Sequence, residues 1–238
     1  MPMNYFDIIE SEKAEQVDLP ENEPKKQTWL SRLSYLLLLL YWQVSQGAVA
    51  LPMDRHQHFH LWKILAFLLI FIVCVALSYD WARKHELIPK ISLRQFPLGK
   101  IATGFVLMLV TSMISGVIMS LTKTDTTENQ AAVDAIGKAL PPLVFFIMTV
   151  SAGFFEELVF RVSMFELLFN KWPKVAMFFA WGLFTAAHMP TDIPSFLTYG
   201  LMSLVLTSLY TKYRNFYLNM SVHFLWNAVI TLVLLLGK

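Results

Sequence analysis

The chain has 238 residues, of which 56% are hydrophobic and 15% charged, with mean hydropathy +0.52, a balance that excludes an ordinary water-soluble domain and points to a membrane protein. The formal net charge is only +2 and the basic residues are scattered between apolar runs, so no nucleic-acid partner is expected. A single cysteine, Cys74, excludes an internal disulfide and a thiolate metal site.

Residues 1–28 carry seven acids and three lysines, with Pro20 and Pro24 and little apolar periodicity, and read as a polar, mobile cytoplasmic tail. Ala48, Val49 and Ala50 have the small-residue form of a signal-peptidase site. The region before them is long and acidic where a signal is short and basic, so no cleaved signal is expected. Crossing a bilayer takes about 20 apolar residues. Runs at 31–51, 61–79, 101–121, 141–160, 174–189, 195–211 and 216–236 predict an all-α, polytopic transmembrane bundle of about seven segments, six to eight, the fifth and sixth being short. Residues 29–139 then form the N-terminal transmembrane helices and 140–238 a C-terminal transmembrane core. With the N-terminus inside, 14 of the 19 lysines and arginines fall on cytoplasmic segments, which favours that orientation in a cell membrane.

Several features along the way need no substrate. "DRHQHFH" places His56, His58 and His60 in a short solvated loop between crossings, and Lys63 snorkels from the start of the second run. The loop "KHELIPKISLRQFPLGK" is basic with spaced apolar residues and is expected to lie against anionic lipid headgroups. The seven tryptophans fall mostly near span ends, as an interfacial belt requires.

The fourth run ends differently, in "FFEELVFR", residues 154–161. A charge near mid-bilayer costs about 2.5–3.5 kcal/mol on insertion scales, so Glu156, Glu157 and Arg161 must pair or line a wet cavity. Glu157 and Arg161 are four apart and pair on one helix face, which is cheap near the cytoplasmic interface. Glu156 points about 100° away and needs another partner. Candidates follow on two later runs: His188 in "FTAAHMP", and His223 with Asn227, four apart on one face, in "SVHFLWNAV". Each alone reads as interhelical hydrogen-bond glue. Together they put two carboxylates, two imidazoles, an amide and a guanidinium on three helices.

The absence of a zinc-protease HExxH pair, a serine elbow and a phosphate loop leaves a carboxylate base and an imidazole holding a water, with a second imidazole and an amide facing an oxyanion. The alternative is a divalent metal such as zinc on Glu156, Glu157, His188 and His223.

"EELVFR", "FTAAH" and "HFLWN" match E-E-x-x-x-R, F-x-x-x-H and H-x-x-x-N in that order across residues 156–227. In this the chain resembles the CAAX prenyl protease and bacteriocin-processing family, also called the abortive-infection family, of intramembrane proteases. The resemblance implies a glutamate-dependent endopeptidase acting without cofactor on a membrane-associated peptide or protein. Glu156 would be the base, His188 would help hold the water, His223 and Asn227 would form the oxyanion site, and Glu157 and Arg161 would shape it. The alternative within the same resemblance is a bacteriocin self-immunity protein that binds without cleaving. An ion-coupled transporter is disfavoured, because no repeated pair of broken helices is visible.

Overall fold

The computed structural model describes residues 27–237; the polar tail read from residues 1–28 lies almost wholly outside them. The described residues are helical throughout their regular elements, with no strand among them. Helix α1 (Trp29–Leu33) opens on Thr28, whose side chain accepts from the Ser31 amide, and runs into α2 (Tyr35–Gly47). Then come α3 (Leu61–Lys84), α4 (Leu98–Thr122) and the short surface helix α5 (Glu128–Lys138). The second half holds α6 (Pro142–Glu157), which continues as a π-helix over Leu158–Leu168, then α7 (Pro173–Ala187), α8 (Ile193–Tyr213) and α9 (Phe216–Leu236).

Among the described residues, six helical stretches are long and apolar enough to cross a membrane: Trp29–Ala50, Leu61–Lys84, Leu93–Thr122, Pro142–Leu168, Ile193–Tyr213 and Phe216–Leu236. The expected short fifth segment is α7, with 15 residues. At about 1.5 Å per residue it rises roughly 22 Å, less than the roughly 30 Å hydrocarbon core. The expected short sixth segment is instead the full 21-residue α8, because Ile193 and Pro194 start the helix earlier than the apolar run suggests.

Local chemistry sets these boundaries. Pro142, Pro173 and Pro194 stand in the first turns of α6, α7 and α8, where a missing N–H costs nothing. Asp192 and Ser195 form a reciprocal capping box on α8, and Asn215 accepts from the Leu218 amide to start α9. Lys123, Met189 and Arg214 take left-handed backbone angles just past α4, α7 and α8, which turns the chain back.

Helix α9 lies along α6 and α4, α8 packs against α4 and α7, α7 covers the π-helix, and α2 pairs with α3. Two glycines allow the closest approaches. A Cβ at Gly104 would stand 2.7 Å from Val222, and one at Gly153 would stand 2.9 Å from Phe224. In a bilayer, where lipid tails are as apolar as leucine, such small residues let helix backbones meet. The second half is thereby assembled around α9. Val106, Val110, Met113 and Val117 of α4 face outward, as lipid contact requires.

The tryptophan belt is partial. Trp29, Trp62 and Trp172 are exposed, whereas Trp81 and Trp226 are buried, and Trp181 donates to the Gly200 carbonyl. Cys74 is buried among the helices. In the basic loop after α3, Leu93 is 92% exposed and Ile91 63%, which leaves them free to enter a headgroup layer.

Candidate active site

The π-helix begins where the acidic pair ends. Ser163 Oγ donates to the Leu158 carbonyl, five residues back, at 2.8 Å, and the Phe169 amide donates to Met164 O at 3.0 Å. Wide turns of this kind recur at functional sites.

Glu157 and Arg161 pair at 3.1 Å, and both side chains are 0% exposed. An ion pair taken wholly out of water costs several kcal/mol per ion unless its other lone pairs and protons are satisfied. Here Glu157 Oε1 also accepts from His223 Nδ1 at 2.9 Å, and Oε2 accepts from Asn219 Nδ2 at 3.0 Å. Arg161 Nη2 donates to Ser203 Oγ at 3.3 Å, and the guanidinium lies 4.2 Å over the Phe184 ring. The pair is therefore buried inside the protein, where α7, α8 and α9 supply partners that spacing along one helix does not reveal.

These bonds fix the imidazole tautomers. Glu157 already receives protons from Arg161 and Asn219, so it accepts from His223 and Nδ1 carries the hydrogen. His223 Nε2 is left facing Glu156 Oε2 at 3.7 Å, beyond hydrogen-bond length. Glu156 retains partial access, 14% for its side chain.

His188 caps the end of α7. Its Nδ1 lies 2.8 Å from the Phe184 carbonyl, which can only accept, so here too Nε2 is the free nitrogen. The ring stacks on Tyr199 with centroids 4.5 Å apart and 24° between planes. Phe184 lies between the two imidazoles, 4.5 Å from the His188 ring and 5.8 Å from that of His223. His188 is within electrostatic reach of both Glu156 and His223.

Asn227 sits one turn beyond His223 and donates through Nδ2 to the Thr149 carbonyl at 2.8 Å, which leaves its second amide hydrogen. Thr231 donates to Thr149 Oγ1 at 2.8 Å and extends this α6–α9 seam.

Glu156, Glu157, Arg161 and His223 thus form one contiguous group, with His188 beside it across Phe184 and Asn227 a turn along α9. The zinc alternative does not fit this arrangement. Both Glu157 oxygens are occupied by Arg161, His223 and Asn219, His223 Nδ1 is turned to Glu157, and among the described residues no group of three or more His, Cys, Asp or Glu side chains is placed to hold a metal ion. His56, His58 and His60 are exposed and separate from the cluster.

Four residues of the site escape a reading of the sequence. Asn219 had a usable signal, since it stands four before His223 as Asn227 stands four after, all on one face of α9. Ser203, Thr149 and Tyr199 had none; hydroxyls inside apolar helices are too common to single out.

Residues 138–229 match the family model described as type II CAAX prenyl endopeptidase Rce1-like. Over 204 residues the chain is 49% identical to UPF0177 protein YvdC of Lactococcus lactis subsp. lactis (strain IL1403), an alignment covering 84% of this chain and 78% of that protein. No solved structure matches. With 49% identity over most of both chains, the chain belongs to the UPF0177 family, and its residues 138–229, which carry the three motifs, are similar to the CAAX prenyl endopeptidases.

Proposed function

We propose that the chain is an intramembrane endopeptidase that hydrolyses a peptide bond in a membrane-associated peptide or protein with a water activated by Glu156. The observation that carries this reading is His223 Nε2 facing Glu156 Oε2 at 3.7 Å, with its other nitrogen fixed on Glu157. A carboxylate with partial access, beside two imidazoles whose Nε2 atoms are both free, is the set that water attack on an amide requires.

In the proposed reaction Glu156 takes a proton from the water while His188 Nε2 accepts the water's other hydrogen bond. The water oxygen bonds to the scissile carbonyl carbon, and the electron pair moves onto the carbonyl oxygen. His223 in its protonated form donates from Nε2 to that oxyanion, with the second amide hydrogen of Asn227 as a further donor. Collapse breaks the C–N bond, and the proton held by Glu156 passes to the leaving amine. Glu157 and Arg161 do not touch the substrate. They fix the tautomer and angle of His223.

The scissile bond must lie in locally unwound backbone, since a closed helix hides its carbonyls, so a tail or leader is the expected substrate. The charge distribution supports a cytoplasmic N-terminus. The test compares membrane peptidomes of cells carrying the parent and Glu156→Gln chains. The proteolytic reading expects peptides that disappear in the variant while the protein still inserts. Identical peptidomes, with the variant protecting cells against a bacteriocin as well as the parent, would replace it with immunity by binding alone.

A further inference from the structure

His188 is held by less than its neighbours. It ends a helix, its following residue Met189 turns the chain with a left-handed angle of φ 45°, and its ring bonds to its own helix, at the Phe184 carbonyl. The remaining restraint on its ring plane is aromatic, with Phe184 on one side and Tyr199 stacked at 4.5 Å. Tyr199 is itself pinned from outside the helix bundle. Its hydroxyl lies 2.6 Å from Thr127 Oγ1 and receives a hydrogen bond from Asn129 Nδ2 at 3.2 Å. Thr127 is the residue that caps α5, accepting from the Gln130 amide at 3.1 Å, so the start of the surface helix is fastened to the ring behind His188. Tyr199 and Thr127 are both buried, at 6% and 5% exposure.

We infer that Tyr199 is a positioning residue for His188, and that the Thr127–Asn129 corner of α5 sets the Tyr199 ring from the membrane surface. The inference rests on the proteolytic reading for its effect on rate, but not for its geometry. The phenol ring limits rotation of the imidazole about its side-chain bonds and so keeps Nε2 aimed at the water that Glu156 activates. The hydroxyl makes that ring one rigid piece with the first turn of α5. Displacement of a reacting group by about 1 Å can cost two orders of magnitude in rate, so a modest tilt of the stack is enough to be read in turnover.

The test uses the full chain in detergent micelles or vesicles, with histidine-labelled nuclear magnetic resonance of the His188 ring and steady-state cleavage of a peptide found by the peptidome comparison. Tyr199→Leu removes the stack; it is expected to lower kcat roughly 10- to 100-fold with KM near the parent value, and to move the His188 ring signals out of the ring-current-shifted position. Tyr199→Phe keeps the stack and frees α5, so it should give a smaller loss and a smaller shift. Asn129→Ala, which leaves the α5 cap intact, should move the His188 signals in the same direction as Tyr199→Phe. Thr127→Ser keeps both the cap and the hydroxyl, and should retain parent behaviour.

Parent kcat and KM in Tyr199→Leu would overturn the positioning role even if the signals move, and would leave the proteolytic reading standing. Unmoved His188 signals in Tyr199→Leu would overturn it whatever the rate. If the parent cleaves nothing, the proteolytic reading fails by itself, and the signals alone then decide whether Tyr199 orients His188. Parent signals in Tyr199→Phe and Asn129→Ala would remove the link to α5.

Discussion

Glu157 and His223 meet at 2.9 Å in the interior, and this bond decides which nitrogen of the imidazole is left for chemistry. The two neighbouring glutamates are therefore unequal: Glu157 is buried and fully bonded, while Glu156 is reachable and faces the free nitrogen. Replacing each by glutamine separates the roles. Glu156→Gln should fold and insert like the parent but lose nearly all cleavage. Glu157→Gln should lower thermal stability in detergent as well as activity, because it leaves Arg161 charged and unpaired in the interior. Equal stability losses in the two variants would contradict the assignment.

Arg161 should be the costliest polar side chain to remove. Its partner would be a buried carboxylate without a counter-ion, and breaking such a pair costs about 3–5 kcal/mol. Arg161→Lys is expected to recover only part of this, since a single ammonium cannot reach Glu157 and Ser203 together while lying flat on Phe184. Chemical or thermal unfolding of the purified variants in detergent measures both.

Asn219 donates to the Glu157 carboxylate and also to the Leu206 carbonyl at 2.7 Å. Asn219→Ala removes a charge-assisted bond worth about 1.5–3 kcal/mol and should reduce turnover through a looser His223. Asn219→Asp, nearly the same shape, should be worse than Ala, because it sets a second carboxylate against Glu157. Unfolding midpoints of the two variants settle the order.

Gly153 is where α6 touches the stretch of α9 that carries His223. A Cβ there would meet Phe224 at 2.9 Å and His223 Cβ and Cγ at 3.1 Å. Gly153→Ala should therefore shift His223, lowering kcat more than stability, with an overpacking cost of about 1–3 kcal/mol. Gly182→Ala is the control, since a Cβ at Gly182 meets nothing within 4 Å.

Away from the membrane spans, His85 follows α3 with Nε2 3.2 Å from Ser34 Oγ, which also accepts from Trp81 Nε1 at 3.0 Å. Burial holds the His85 imidazole below its ordinary value of 6.5. A depressed folded value means that the joint between α1 and α3 is at full strength above the ordinary value and weakens as pH falls through the folded one. Melting temperature followed from about pH 7.5 to 5 should decline, and His85→Gln should flatten that decline.

Most of the architecture was legible because lipid admits only helices and closed barrels, and continuous apolar runs of about 20 residues fit helices. The three motifs likewise stood out as charges and imidazoles against oil. What spacing did not convey was burial and partnership. Glu157 and Arg161 read as a pair closed on one helix because four residues on one helix is all that a linear reading sees, and the donors that make burial tolerable come from other helices. The π-helix was also hidden, since it depends on backbone hydrogen bonds that reach five residues back, as from the Phe169 amide to Met164, rather than on composition. Asn219 could have been found from its spacing to His223. Tyr199 could not, because its relation to His188 exists only across two helices.

The 15-residue α7 imposes a mismatch on its surroundings. Set across a bilayer, a rod roughly 8 Å shorter than the hydrocarbon slab would have the adjoining lipid thin or its headgroups sink at the helix ends, one of which carries His188. Under the proteolytic reading, such thinning would give water and a polypeptide end a path to the imidazole through deformed lipid, without the protein having to part its own helices.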